Sequence, residues 1–303
     1  MNLRDLEYLV ALDEHHHFGR AAAACYVSQP TLSTQVKKLE HELGIDLVER
    51  GQRHVMLTSA GEEVVERARV ILGQAQDIRG IAARARNPRS GTLTLGVFPT
   101  LAPYLLPHVV PTLRDRFPDL RLRLVEEKSS DLVDALRAGR VDAAVLAMPV
   151  AEPGLVVHPL FREDFVLAVG DDDPLAHGDG PLPLAALDGH ELLLLEDGHC
   201  LRDQALAVCQ LAGLSEDRSF RASSLETLRH MVAGGGGRTL LPRLSVSQPV
   251  ARPAGLHVRE LLAPAPHRDI ALVWRQASTF GPLLPEVADA LGALPDGLVT
   301  PLR

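Results

Sequence analysis

Residues 21–44 read AAAACYVSQPTLSTQVKKLEHELG, and this stretch decides how the chain is organised. The alanine-rich run from Gly19 to Cys25 favours helix. Ser28 then suits a helix cap, and Pro30 suits a first turn, where backbone N–H groups lack intrahelical partners. The helix that follows places Leu32, Val36, Leu39 and Leu43 at steps of four, three and four, an apolar stripe expected to face inward. Gln29, Pro30, Thr31, Ser33, Thr34 and Lys37 are left at the helix start or on its other faces. Two short helices around a tight turn, the second polar to basic at its front, describe a helix-turn-helix. Its hydroxyl and amide groups suit base edges or phosphates, and Lys37 suits a phosphate. A plain helical bundle with a solvated face shows the same periodicity.

The flanks extend this head. Leu3, Leu6, Leu9 and Val10 fall at helical spacing. Leu47–Arg50 and Arg53–Leu57 read as two short strands around a turn at Gly51, a wing with Arg50 and Arg53 beside it. Ser59-Ala60-Gly61-Glu62 has the form of a capping box. After it, Val64, Ala68, Ile71, Ala75, Ile78 and Ala82 form a heptad-like seam that suits pairing with a second helix. The breaker cluster Asn87-Pro88-Arg89-Ser90-Gly91 ends it. Pairing two chains suits a DNA binder that reads two half-sites, whereas a single helix packed on its own domain is the alternative.

Composition bounds the rest. The 303 residues allow two or three domains. Apolar residues make up 46% and charged residues 23%, ordinary for a globular protein and unlike a disordered one. No apolar run is long enough for a membrane-spanning helix. Arg4, Asp5 and Glu7 stand where a signal peptide needs its apolar segment, so a cytoplasmic location is expected. Three cysteines (Cys25, Cys200, Cys209) are too few for a secreted disulfide scaffold. Residues 1–90 hold 12 basic and 12 acidic side chains, while residues 91–303 hold 19 and 27 and carry the whole net charge of −8. Any DNA contact must therefore be local to the head.

From Gly91 onward apolar strands alternate with helices. Leu93–Val97, Leu120–Val125, Val141–Ala147, Val166–Val169, Leu192–Leu195, Thr239–Leu241 and Ile270–Trp274 read as strands. This is an α/β body, expected as two subdomains with the chain crossing over and returning. Ligands in such sheets sit at the carboxyl ends of strands. Thr100, the pair Ser129 and Ser130, and Glu196-Asp197-Gly198-His199-Cys200 follow three of those ends. Each also suits a simple helix cap.

Cys200 opens a helix expected over Leu201–Ala212, where free N–H groups and the dipole favour a thiolate, with His199 and Arg202 able to add to this. Cys209 lies nine residues on, roughly 13 Å along the axis and on the opposite face. A disulfide needs Cα atoms within about 7 Å, so the pair cannot bond while the helix is intact. Bonding would unwind the helix, as a redox switch requires. The plainer reading is that Cys209, among Ala205, Leu206, Val208 and Leu211, is a core residue. His15-His16-His17 is a weak metal candidate, because adjacent helical residues point apart. Gly234–Gly237 lacks the lysine of a phosphate loop and suits a turn into the Thr239 strand.

The stretch from Ala21 to Gly44 resembles the winged helix-turn-helix of LysR-type transcriptional regulators. The segments VFPTLAPYLLPHVVP, LLLLEDGHCLRDQALAVC and FRASSLETLRHMVAGGGGRTLLP resemble the hydrogen-peroxide-sensing members of that family. The resemblance runs over almost the whole chain. It implies a winged helix-turn-helix (1–58), a linker helix for dimerisation (59–87) and a redox-sensing domain (88–303) of two Rossmann-like subdomains, like a periplasmic binding protein. The subdomains are expected over 91–163 plus 269–303 and over 164–268. The resemblance also makes Cys200 the peroxidatic and Cys209 the resolving cysteine, joined by a disulfide when oxidised. Thr100, Ser129, His199, Asp203, Gln204 and Arg268 become residues that bind or activate peroxide. Ser129 departs from the family's threonine by one methyl, and Cys25 is a packed residue of the head. The implied partners are operator DNA, hydrogen peroxide, RNA polymerase and further copies of the chain in a tetramer, with no metal, cofactor or membrane. Two other readings share the head: a regulator that binds a small metabolite between subdomains, and a thiol enzyme carrying a DNA-binding domain.

Overall fold

The computed structural model describes residues 1–50, 55–84, 89–178 and 180–302. The chain forms two compact units, Met1–Asn87 with Ala135–Arg140, and Pro88–Asp134 with Val141–Arg303.

The first unit begins with α1 (Leu3–His15), α2 (Phe18–Ala24) and α3 (Gln29–Leu43). Asn2 and Asp5 cap α1 reciprocally, each side chain accepting from the other's backbone N–H. The helix closes at His16 in the left-handed region. His17 then caps α2, its Nδ1 accepting from Gly19 N at 2.9 Å and Arg20 N at 3.3 Å. The three histidines thus span a junction between helices rather than lying on one helix. Leu32, Val36 and Leu39 of α3 pack against Leu9, Leu12 and Ala21. Leu43 does not continue that stripe and is 39% exposed, because the helix ends beside it at the left-handed Gly44.

Strands β1 (Val48–Arg50) and β2 (Val55–Leu57) pair antiparallel, Arg50 opposite Val55. The turn at Gly51 and the side chains of Arg50 and Arg53 lie outside the described residues. Glu40 fixes the approach to this ribbon. Its buried Oε1 accepts from Leu47 N at 3.0 Å and Val48 N at 3.1 Å. Helix α4 (Ser59–Arg84) follows. Its cap is Thr58 rather than the expected Ser59: Thr58 Oγ1 accepts from Gly61 N at 3.0 Å, and the Thr58 carbonyl receives Glu62 N. The same hydroxyl donates to Asp46 O at 2.8 Å, which ties the cap to the segment before β1. Along the α4 seam Ala68 is buried and Val64 half-buried, whereas Ile71 and Ile78 are exposed. The side chain of Ala82 lies outside the described residues.

The second unit is α/β. It runs β3 (Gly91–Val97), α5 (Ala102–Arg116), β4 (Leu120–Glu126), α6 (Ser129–Arg137), β5 (Ala143–Ala147) and β6 (Leu155–Val169). It continues with β7 (Glu191–Leu195), α7 (Cys200–Ala212), β8 (Ser215–Ala222), α8 (Leu225–Ala233) and β9 (Thr239–Pro242). Last come β10 (His257–Arg259), β11 (His267–Arg275), α9 (Leu284–Gly292) and β12 (Thr300–Pro301). The main sheet has the order β10-β6-β11-β5-β3-β4, with β9 and β12 also on β6. Strand β3 is parallel to β4 and β5, and β11 is antiparallel to β5 and β6. A second sheet pairs β7 with β8 in parallel, so α7 is the crossover helix of a βαβ unit.

Two differences from the sequence reading have local causes. The strand expected over Val166–Val169 is the tail of β6, whose front half carries His158, Pro159, Arg162 and Glu163 and so hides its strand character. Strand β8, SEDRSFRA, has no apolar run and was not anticipated. The glycines after α8 form the expected turn into β9, Gly235 and Gly237 taking positive φ.

Tyr26 follows α2 with φ 56° and is 95% exposed. A non-glycine residue in this region carries a steric cost of about 1 kcal/mol. Tyr26→Gly is therefore expected to stabilise the head by about that amount. Denaturant unfolding would show a higher midpoint at unchanged slope, and a lower midpoint would contradict the strain assignment.

Candidate functional site

The polar residues singled out after Gly91 lie at the carboxyl ends of strands, as the topology predicts. Thr100 follows the carboxyl end of β3, Ser129 that of β4, and His199 and Cys200 that of β7. Ile270 pairs with Ala147 at the carboxyl end of β5, so Arg268 lies past the end of β5 while still paired with β6. Open parallel sheets place ligands at this edge, since helix N-termini and free loops converge there.

Thr100 and Arg268 are in direct contact. Arg268 Nη1 donates to Thr100 Oγ1 at 3.2 Å and Nη2 to its carbonyl at 3.1 Å. Glu163, directly across from Arg268 in the β6–β11 register, accepts from Arg268 Nε at 2.8 Å. Both side chains are fully buried. The second carboxylate oxygen of Glu163 receives Leu244 N at 2.8 Å, and the guanidinium lies 5.2 Å from the centre of the Phe98 ring. Sequence reading missed Glu163 and Phe98, since Glu163 stands in the charged run Arg162-Glu163-Asp164 and nothing there marks it as buried.

The second group surrounds the start of α7. Cys200 is the first helical residue, half-buried and a free thiol. Cys209 is also a free thiol but is buried, and its carbonyl accepts from Gly213 N and Leu214 N at the helix end. Burial, reinforced by the charge of Glu216, raises the pKa of Cys209. His199 is buried, and burial lowers its pKa with help from the nearby Lys128 charge. Asp203 is exposed on the first turn. Among the described residues, Gln204 Oε1 and Ser129 Oγ are buried atoms without a hydrogen-bond partner.

Arg202 is not free to act on the thiol. It chelates Glu216 at 2.8 and 3.0 Å, donates to Asp197 at 2.9 Å and reaches Leu195 O at 3.0 Å. Arg221 joins the cluster through Glu216 at 3.2 Å and Asp197 at 3.4 Å. This network bolts α7 to β7 and β8. Asp197 lies in the stretch singled out from sequence, but Glu216 was invisible there because it reaches Arg202 only through the pairing of β8 with β7.

In the head, Gln29, Pro30, Thr31, Thr34 and Lys37 are exposed on α3 and Ser33 is half-buried. Ser28 Oγ accepts from Thr31 N at 3.3 Å and lies 2.7 Å from Thr31 Oγ1. Pro30, Thr31, Thr34 and Lys37 lie on the side of α3 away from Leu32, Val36 and Leu39.

Residues 3–62 match the model of the bacterial regulatory helix-turn-helix protein, lysR family, and residues 86–294 match the LysR substrate binding domain. The chain belongs to the LysR family of transcriptional regulators. Within that family it is 46% identical to the DNA-binding transcriptional dual regulator OxyR of Escherichia coli strain K12, over 98% of this chain and 97% of that protein. It is 47% identical to the hydrogen peroxide-inducible genes activator of Dickeya chrysanthemi, covering 96% and 95%. Among solved structures, a full-length cysteine-to-aspartate variant of OxyR from Pseudomonas aeruginosa superposes with a TM-score of 0.79 at 37% identity, covering 100% and 98% of the two chains. A hydrogen-peroxide-bound cysteine variant of Corynebacterium glutamicum OxyR gives 0.65 at 36% identity, covering 96% and 91%. The family is one of regulators, and the relatives are named as regulators rather than enzymes. Among the described residues no helix is long and apolar enough to cross a membrane.

Two expectations follow from the geometry. Arg268→Met leaves the Glu163 carboxylate buried without its cation, a loss of about 3–5 kcal/mol, and adding Glu163→Gln recovers part of it. Urea unfolding of the single and double variants checks this, and an additive double variant would contradict the pairing. His199, with a folded pKa below the ordinary value of about 6.5, refuses a proton that the unfolded chain accepts. Its contribution is thus present above about pH 6.5 and fades as the pH falls below it. His108, lowered by burial, acts in the same direction. Unfolding midpoints at pH 7.5 and 5.5 should differ less in His199→Gln than in the unchanged chain; equal differences would remove His199 from the account.

Proposed function

We propose that the chain is a peroxide-responsive transcriptional regulator that converts oxidation of Cys200 into a change in how its heads engage DNA. The observation that carries this reading is the placement of both thiols on one helix. Cys200 stands half-buried at the first turn of α7, and Cys209 is buried at the last. The relatives, named as hydrogen peroxide-inducible genes activators, support the same signal.

The chemistry balances in two steps. The Cys200 thiolate attacks one peroxide oxygen, the O–O bond breaks, and sulfenic acid and hydroxide form. The Cys209 thiolate then attacks the sulfenic sulfur, the S–S bond forms, and the hydroxyl leaves as water with a proton. Thr100 and Ser129 hold peroxide in this scheme. His199 and Arg268 supply proton transfer and positive charge, and Asp203 and Gln204 are the polar neighbours on the first turn. The unpartnered Ser129 Oγ and Gln204 Oε1 suit such a ligand. The raised pKa of Cys209 fits a thiol that reacts only after burial is relieved. Since Cα atoms must come within about 7 Å, α7 unwinds and the Arg202 cluster breaks with it.

Residues 1–58 form the DNA-binding head in this proposal, 59–87 the dimerisation helix and 88–303 the sensing domain, whose subdomains are 91–163 plus 269–303 and 164–268. Operator DNA meets Gln29, Pro30, Thr31, Ser33, Thr34 and Lys37 on α3, with Arg50 and Arg53 at the wing. The exposed Ile71 and Ile78 of α4 suit pairing with a second copy, and two such dimers make a tetramer. The regulator works in the cytoplasm and acts on RNA polymerase.

Mass spectrometry with thiol trapping tests the proposal, before and after a brief stoichiometric peroxide pulse. A Cys200–Cys209 link that forms within the pulse and yields to a disulfide reductant is expected. Cys209→Ser should stop at sulfenic acid. Two free thiols after the pulse would overturn the reading in favour of a regulator that binds a small metabolite.

A further inference from the structure

The turn that delivers Cys200 to its helix is held from two directions. On one side the Asp197 carboxylate is taken by Arg202 and Arg221. On the other side Lys128 Nζ donates to the Asp197 carbonyl over 3.4 Å. A methyl group added at Gly198 would lie 3.0 Å from the same Nζ, so the ammonium crowds the space that a side chain at 198 would take. Gly198 has φ +90°, a conformation that glycine adopts without strain, and the absence of a side chain opens the space for the lysine. One cation thus bears on the three residues ahead of the thiol: it bonds the Asp197 carbonyl, fills the space beside Gly198, and acts on His199 through its charge.

Lys128 is itself firmly placed. Its carbonyl accepts from Leu132 N at 3.0 Å, which makes it the residue from which α6 starts, with Ser129 next. Its side chain therefore joins the N-terminus of α6 to the turn before α7. The groups acting on His199 are the Lys128 ammonium, the Glu196 carboxylate and a backbone group of Ser223.

We propose that Lys128 is a positioning residue of the thiol centre, a clasp that holds the Asp197–His199 turn, and with it the first turn of α7, in the dithiol arrangement. The proposal rests on the thiol-switch reading above. In that reading the disulfide requires α7 to unwind, and the clasp secures the first turn of that helix. The clasp therefore favours the dithiol, and its ammonium supplies a fixed positive charge beside His199.

The test uses the full chain and its Lys128→Met and Lys128→Arg variants, with two readouts. The first is the thiol–disulfide equilibrium in glutathione buffers, quantified by alkylation and mass spectrometry. One oxidised glutathione takes two electrons and two protons from Cys200 and Cys209 and leaves as two reduced molecules. The second is the titration of the His199 imidazole, followed by NMR in the reduced chain. Lys128→Met should shift the equilibrium toward disulfide by about threefold or more and move the His199 titration to higher pH; Lys128→Arg should restore both toward the unchanged chain. A general loss of stability would lower the unfolding midpoint without moving the His199 titration of the folded dithiol. If Lys128→Met leaves both readouts unchanged, the clasp is wrong. If the unchanged chain forms no Cys200–Cys209 bond, the switch reading fails, and the His199 titration alone then judges the clasp.

Discussion

The buried ion pair between Arg268 and Glu163 is a constraint on which the α/β unit depends. Taking a guanidinium and a carboxylate out of water costs several kcal/mol per ion unless every remaining polar site is matched. Here it is matched closely. Glu163 receives Arg268 Nε and Leu244 N, and Arg268 gives its outer nitrogens to both oxygens of Thr100 while lying near the Phe98 ring. Because the two residues face each other across β6 and β11, the pair also resists slippage of that register. A contact so dependent on complete satisfaction places Thr100 at the edge of the sheet with little freedom.

Helix α7 presents the complementary arrangement, in which stability is open to reversal. Leu201, Ala205, Val208 and Cys209 bury one face, and Arg202 fastens the first turn to Glu216 and Asp197. In the proposed switch a covalent bond between the two ends of the helix competes with these contacts. Asp197 is 79% exposed at its side chain, so its share of the network is screened and modest, whereas Glu216 is nearly buried and its pairing matters more. The helix is thus tied by one strong and several weaker contacts.

Much of this was legible in the residues. The stripe of Leu32, Val36 and Leu39 gave α3 its inward face, and the alternation after Gly91 gave the α/β body, because both patterns are local and periodic. Cys200 at a helix start was readable from the run EDGHC ahead of an apolar helix. The front of β6 and all of β8 were not readable. Their polar residues are satisfied by partners far along the chain, Glu163 by Arg268 and Glu216 by Arg202, and nothing nearby signals that. The α4 cap fell one residue early for a similar reason, since Thr58 is favoured over Ser59 by its bond to Asp46 O.

By itself the sequence determined the helix-turn-helix periodicity, the polar start of α3, the concentration of negative charge after residue 90, and the nine-residue spacing that separates the two thiols on one helix. These follow from helical and strand repeat lengths, which act between near neighbours. Only the tertiary structure decided that Arg268 belongs to Glu163 and Thr100, that Arg202 turns away from the thiol, and that Lys128 crosses to the turn before Cys200. Long cationic side chains choose among several carboxylates and carbonyls, and the choice falls to whichever acceptor the folded backbone brings within reach as water is excluded.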